Sequence, residues 1–150
     1  MNYIKLNEVK IPNQFKKNSP NIFKISKVKE YVRKYGNLDK PVTLNGKVLV
    51  DGYVRYIVAD MMGWVAVPYV DIKDMEYVVC KFDNNPKEYT WKNDKGVYVR
   101  VGDKVLVWIK NSKGENKKVY ATVVNTFKSS DLKLYKKHKS VIKRLRNLDK

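Results

Sequence analysis

Five consecutive residues, Asp51-Gly52-Tyr53-Val54-Arg55, carry the clearest chemical pattern in the chain. An apolar run, "VLV", leads into Asp-Gly, and a helical pattern begins directly behind it. A glycine at a strand-to-helix turn lets an anion approach the backbone closely. The first N–H groups of a helix have no partner within it, and the macrodipole favours negative charge there. An arginine in that first turn opposes the dipole, and a bound phosphate would compensate. Gly52 and Arg55 are therefore candidate residues for holding a phosphate. A plainer reading fits the same residues. Gly52 then serves a tight turn, and Arg55 is solvated or paired with Asp51.

The rest of the chain is sparing with reactive groups. The sole cysteine, Cys80, sits in the strand-like run "YVVCKF", where a small buried apolar role suits it better than that of a nucleophile. The sole histidine, His138, lies among lysines and reads as a helix-surface residue. No metal-ligand set and no nucleophilic triad can be assembled by spacing, and one cysteine permits no internal disulfide.

Charge is the strongest global signal. The chain of 150 residues carries 32 Lys+Arg against 15 Asp+Glu, a net charge of +17. Residues 1–85 hold 14 basic and 9 acidic side chains, whereas residues 86–150 hold 18 and 6. An excess concentrated in one region attracts polyanions, of which nucleic acid is the commonest. A lysine-rich composition serving only solubility is the competing view. Apolar runs fall short of the ~20 residues a membrane span needs, and the N-terminus lacks the apolar stretch of a secretory signal. An intracellular, cytoplasmic protein with no membrane partner is expected.

The elements that must position these residues fall into three segments. Residues 1–82 alternate strands and helices. Ser26 can cap a helix whose apolar stripe is Val28, Tyr31, Val32 and Tyr35, with Gly36 as its stop. "PVTLNGKVLV" reads as a hairpin around Asn45-Gly46. A helix follows from about Tyr53 to Met62, burying Val54, Ile57, Val58 and Met61. The polar, proline-bearing "DNNPKE", 83–88, reads as a boundary. In 89–127 the period changes to strand alternation in "GVYVRV", "DKVLVWIK" and "KVYATVVNTF". Residues 129–150 read as a basic amphipathic helix. The fold class expected is α+β: an α/β domain, a small antiparallel β-barrel and a C-terminal helix.

The order "LNEVKIPNQF", a helix ending in glycine, then "KPVTLNGKVLVDGYVRYIVADMMGWVAVPYV" resembles the N-terminal domain of the ParB/sulfiredoxin superfamily. The resemblance covers roughly residues 4–70. It implies an α/β domain whose strand-to-helix turn, at Asp51, Gly52, Tyr53 and Arg55, contacts nucleotide phosphates. It further implies CTP or ATP with Mg as ligand, and a bacterium or its phage or plasmid as source. Sulfiredoxins place a catalytic cysteine directly after the glycine; here that residue is Tyr53, which excludes their thiol chemistry. ParB proteins carry two adjacent arginines after Gly-Glu, where this chain has Gly-Tyr-Val-Arg. The second segment is loosely similar to a KOW-like small barrel, through "VGDKVLVW" and the return strand "ATVV". In such modules the Gly-Asp turn is structural, and aromatics and lysines on the barrel face contact nucleic acid or protein.

The candidate nucleic-acid contacts are Arg100, Lys110, Lys113, Lys117, Lys118, Lys136, Lys137, Lys139, Lys143, Arg144 and Arg146. Trp91, Tyr98, Trp108 and Tyr120 are the aromatics to watch beside them, with a core role as the alternative for each. The reading is an intracellular DNA- or RNA-binding protein with a ParB-like phosphate pocket. Two alternatives stay open. One is a nucleotide-dependent enzyme, that is a phosphotransferase, NTPase or nuclease. The other is a mobile-element inhibitor that grips a host protein or ribonucleoprotein.

Overall fold

A computed structural model describes residues 2–145. The fold is mixed α+β, with two sheets and four helices. Two compact units divide the chain, Met1–Lys73 and Asp74–Lys150.

The first unit begins with β1 (Asn2–Lys5), a single 3-10 turn (Leu6–Glu8) and the short helix α1 (Asn13–Lys17). Then come α2 (Ile22–Tyr35), β2 (Val42–Asn45), β3 (Val48–Asp51), α3 (Tyr53–Met61) and β4 (Ala66–Asp71). The strand order is β1-β4-β2-β3. β4 runs parallel to β2, with Val42 opposite Tyr69, and the other pairs are antiparallel. The β2–β3 hairpin turns on Gly46, at φ 67°, and pairs Asn45 with Val48.

The helices form where caps and apolar spacing agree, with local shifts from the sequence reading. α2 starts at Asn21, not Ser26, because the Asn21 side chain accepts from the Phe23 N–H at 2.8 Å. Its buried stripe is Val28 and Val32, with Ile25 packed against the same core. Tyr31 and Tyr35 are exposed and rest on each other, ring centroids 4.5 Å apart. In α3, Val58 is fully buried and Val54 packs on the core as expected, Ala59 is buried as well, and at the C-terminal end Met62 packs on the core in place of Met61, which is 55% exposed. Leu44, Leu49, Val42 and Val67 from the sheet complete this core. Burying each such side chain contributes about 1.5–3 kcal/mol.

The second unit holds β5 (Met75–Lys81), β6 (Tyr89–Lys92), β7 (Lys104–Lys110), β8 (Asn116–Ser129), α4 (Leu132–Lys137) and β9 (Val141–Arg144). The strand order is β6-β5-β8-β7-β9, and every pair is antiparallel. The long β8 pairs β7 along its first half and β5 along its second. A parallel bridge between Lys92 and Ser140, with the Lys92 N–H donating to the Lys139 carbonyl at 2.8 Å, joins the end of β6 to the segment entering β9. The two edges of the sheet therefore meet, and the sheet curls back on itself. Across its interior the Trp91 indole donates to the Trp108 carbonyl at 3.0 Å.

Four expectations change here. The strand 75–81 belongs to the second unit, because β8 and β6 are its partners. The segment "DNNPKE" is the loop of the β5–β6 hairpin, with Asn84 left-handed at φ 63°, rather than a linker. "GVYVRV" forms no strand: the buried Asn93 side chain bonds both the N–H and the carbonyl of Val97, and Asp103 accepts from the Arg100 N–H. The basic C-terminal segment is also not one helix. α4 ends at Lys137, and residues 141–144 form β9 because β7 offers a free edge. Arg146 lies outside the described residues.

Candidate nucleic-acid and phosphate sites

Asp51, Gly52, Tyr53 and Arg55 do converge, at a cleft of about 560 Å³ in the first unit. β3 delivers Asp51, and Gly52 is the N-cap of α3 with φ 92°. A Cβ on Gly52 would stand 3.1 Å from the Val42 Cα, so glycine is required both by conformation and by the close approach of β2. The turn thus has a complete structural reason of its own.

Arg55 is already matched. Its Nε donates to Asp39 Oδ1 at 2.9 Å and its Nη2 to Asp39 Oδ2 at 2.8 Å. The guanidinium lowers the Asp39 pKa, through the hydrogen bond first and charge second, and Asp39 raises that of Arg55. Asp51, the partner the sequence offers, acts on Arg55 through its charge, and the two hydrogen bonds go to Asp39, in the α2–β2 connection sixteen residues earlier.

Two lysines absent from the sequence-based site line the same cleft. Lys24 and Lys27 stand three apart on α2, beside the core residue Val28. Phe15 and Tyr53 complete the wall, their ring centroids 5.4 Å apart. The helical period shared with Val28 is the signal that could have found the lysines. An aromatic pair, two cations and a helix N-terminus could accept a phosphate-bearing aromatic ligand.

The second unit has a larger cleft, of about 900 Å³. Phe82, Tyr89, Trp91 and Trp108 form its walls, and Lys87, Lys110, Lys137 and Lys139 ring it. Of the sequence-predicted cations, Lys110, Lys137 and Lys139 meet here. β7 ends at Lys110, α4 ends at Lys137, and the Lys92–Lys139 backbone bond fixes the start of the β9 segment. The Asp131 carboxylate caps α4 by accepting from the N–H groups of Lys133 and Leu134. Lys92 reaches under the same helix: its Nζ donates to the Tyr135 carbonyl and stands 3.8 Å from the Tyr135 ring centroid. Burial lowers the Lys92 pKa.

The other predicted cations do not line this cleft, although Lys118 lies against Trp108, one of its walls. Lys118 stands 5.0 Å from the Trp108 ring centroid, opposite it in the β7–β8 ladder. Lys113 is in the β7–β8 turn, and Lys117 is on β8. Arg100 and Arg144 share Tyr98, at 5.7 and 5.9 Å from its ring, and Arg144 lies 3.8 Å from Asp103. Lys136 and Lys143 are exposed. Among the watched aromatics, Trp91 is buried, Trp108 is half-buried, and Tyr98 and Tyr120 are exposed. Phe82, Tyr89 and Lys87 were missed, although Tyr89 and Trp91 alternate on one face of a strand as period two requires.

Cys80 is fully buried, and burial pushes its thiol up to about 12. His138 is half-buried at the C-cap of α4 rather than on a helix surface. Its Nδ1 lies 2.9 Å from the Leu134 carbonyl, and its ring stands edge-on to Tyr77. Among the described residues no three His, Cys, Asp or Glu side chains gather into a metal site, and no helix is long and apolar enough to cross a membrane. Compared with family models, curated proteins and solved structures, the chain finds no match.

Proposed function

We propose that the chain binds nucleic acid through its second unit. The observation that carries this is the meeting of Lys110, Lys137 and Lys139 around a cleft walled by aromatic rings. Lysines give sequence-independent affinity for phosphates, and aromatic faces accept bases. The uneven charge, 18 basic against 6 acidic residues in 86–150, supports the same reading. Fluorescence anisotropy with labelled DNA and RNA oligonucleotides, on nuclease-treated protein at low salt, tests it. Binding that weakens steeply as salt rises is expected, and no binding of either polymer at low salt would refute it.

A second reading concerns the first unit. Its order of strand, helix, hairpin, glycine-led helix and parallel strand supports a ParB/sulfiredoxin-like module. The cleft at Gly52 would then take a nucleotide, with Lys24 and Lys27 supplying charge that Arg55, held by Asp39, supplies less freely. Calorimetry with CTP and ATP, each with and without Mg, tests it. Absence of heat with both would remove this reading and leave the first intact.

A further inference from the structure

We infer that the aromatic cleft of the second unit takes unpaired bases, so that the protein prefers single-stranded nucleic acid to duplex. The inference rests on the nucleic-acid reading above. Its basis is what lines the cleft and what each form of nucleic acid can offer it. Phe82, Tyr89 and Trp108 are half-buried and line the cleft together. Phe82 and Tyr89 stand with ring centroids 5.6 Å apart at 57°, and both lean on the buried Trp91. Trp91 is fixed in turn by its bond to the Trp108 carbonyl. Phe82, Tyr89 and Trp91 are packed together before any ligand arrives, and a base that stacks on Tyr89 or Trp108 takes the place of the Lys87 or Lys118 ammonium over that ring.

A duplex has nothing to place against that wall. Its bases are stacked on one another, and it presents only base edges in its grooves and phosphates outside. Single strands expose both base faces, and stacking on aromatic side chains follows. The volume of about 900 Å³ is near the upper end of small-ligand clefts, room for a few splayed nucleotides and too small for a duplex. The ring of charge suits a strand whose bases point inward. Lys110 comes from the end of β7, Lys137 and Lys139 from the stretch that leaves α4, and the lining carries a single carboxylate, Glu88. A fourth lysine, Lys87, lines the same cleft with its Nζ 5.2 Å from the Tyr89 ring centroid.

Anisotropy with a labelled single strand of about 12 nucleotides, its duplex and a poly-glutamate peptide tests the inference. The single strand is expected to bind about tenfold more tightly than the duplex and the peptide. Trp108→Ala is expected to weaken single-strand binding about tenfold and to leave duplex binding within about twofold. Tyr89→Leu, which keeps an apolar side chain at the strand position, should reproduce the loss if Trp108→Ala lowers the thermal midpoint. Duplex or peptide binding as tight as the single strand would overturn the inference while leaving the nucleic-acid reading standing. So would equal losses for both nucleic acids in the two variants. Failure of every nucleic acid to bind would overturn both.

Discussion

Arg55 and Asp39 form a two-pronged ion pair, with Nε to Oδ1 at 2.9 Å and Nη2 to Oδ2 at 2.8 Å. The arginine that the sequence presents as a phosphate ligand is thereby a brace between α3 and the chain entering β2. Planar, paired geometry of this kind is stronger than a single contact, and both side chains are partly shielded, at 24% and 31% exposure. Asp39→Asn is expected to destabilise the fold by about 1–2 kcal/mol. The pKa of Asp39 is lowered in the fold below the ordinary 3.8, so its contribution is complete at neutral pH. It disappears as the pH falls through the lowered value. Thermal midpoints of wild type and Asp39→Asn measured from neutral to acid pH should converge in acid. A gap that persists at the lowest pH would contradict the pairing.

Gly52→Ala should be costlier than other glycine replacements. Gly52 and Gly96 both have positive φ, at 92° and 66°, but only at Gly52 would a Cβ meet backbone, 3.1 Å from Val42 Cα. Gly96→Ala is expected to cost about 1 kcal/mol from conformation alone, and Gly52→Ala about 2–3 kcal/mol. Equal losses in denaturant midpoints would show that β2 yields to the methyl group.

The turn at Gly52 was legible in the sequence because its cause is local: an apolar strand, a glycine and a helical period follow one another. The Asn45-Gly46 hairpin was legible for the same reason. The Asp39–Arg55 pair was not, because nothing within a turn of Arg55 points sixteen residues back. β9 was misread as helix because Val141 and Leu145 fit a helical spacing. The edge of β7 that captures residues 141–144 lies more than thirty positions away. "DNNPKE" has the composition of a linker, and only the pairing of Tyr77 with Lys92 and of Cys80 with Tyr89 makes it a hairpin loop. In the second unit the lysines were legible by charge, but their meeting at one cleft depends on a sheet that curls until Lys92 reaches Ser140. Non-local pairing is what sequence periodicity leaves out.

Cys80 should be chemically silent in the folded protein. Full burial raises its pKa to about 12, so almost no thiolate exists at pH 8. A thiol-specific reagent is expected to leave it unmodified under native conditions and to label it fully in denaturant. Rapid native labelling would show that β5 opens readily.

Tyr77 is fully buried, and its hydroxyl has no hydrogen-bond partner among the described residues, while its ring stacks on Phe127 at 5.2 Å. A buried hydroxyl without a partner opposes folding, so Tyr77→Phe should be neutral or stabilise by up to about 1 kcal/mol. A clear loss in thermal midpoint would contradict the unpaired state.

The proposal that Lys110, Lys137 and Lys139, which meet at one cleft, hold nucleic acid there is tested most directly by a salt titration. The affinity of a labelled single strand is measured at several salt concentrations, for wild type and for the triple variant Lys110→Gln, Lys137→Gln, Lys139→Gln. Each lysine that neutralises a phosphate adds about 0.7 to the slope of log affinity against log salt for a single strand. The triple variant is therefore expected to bind more weakly and to lose about 2 from that slope. An unchanged slope and affinity would contradict the account, because the three lysines would then meet at this cleft without touching nucleic acid.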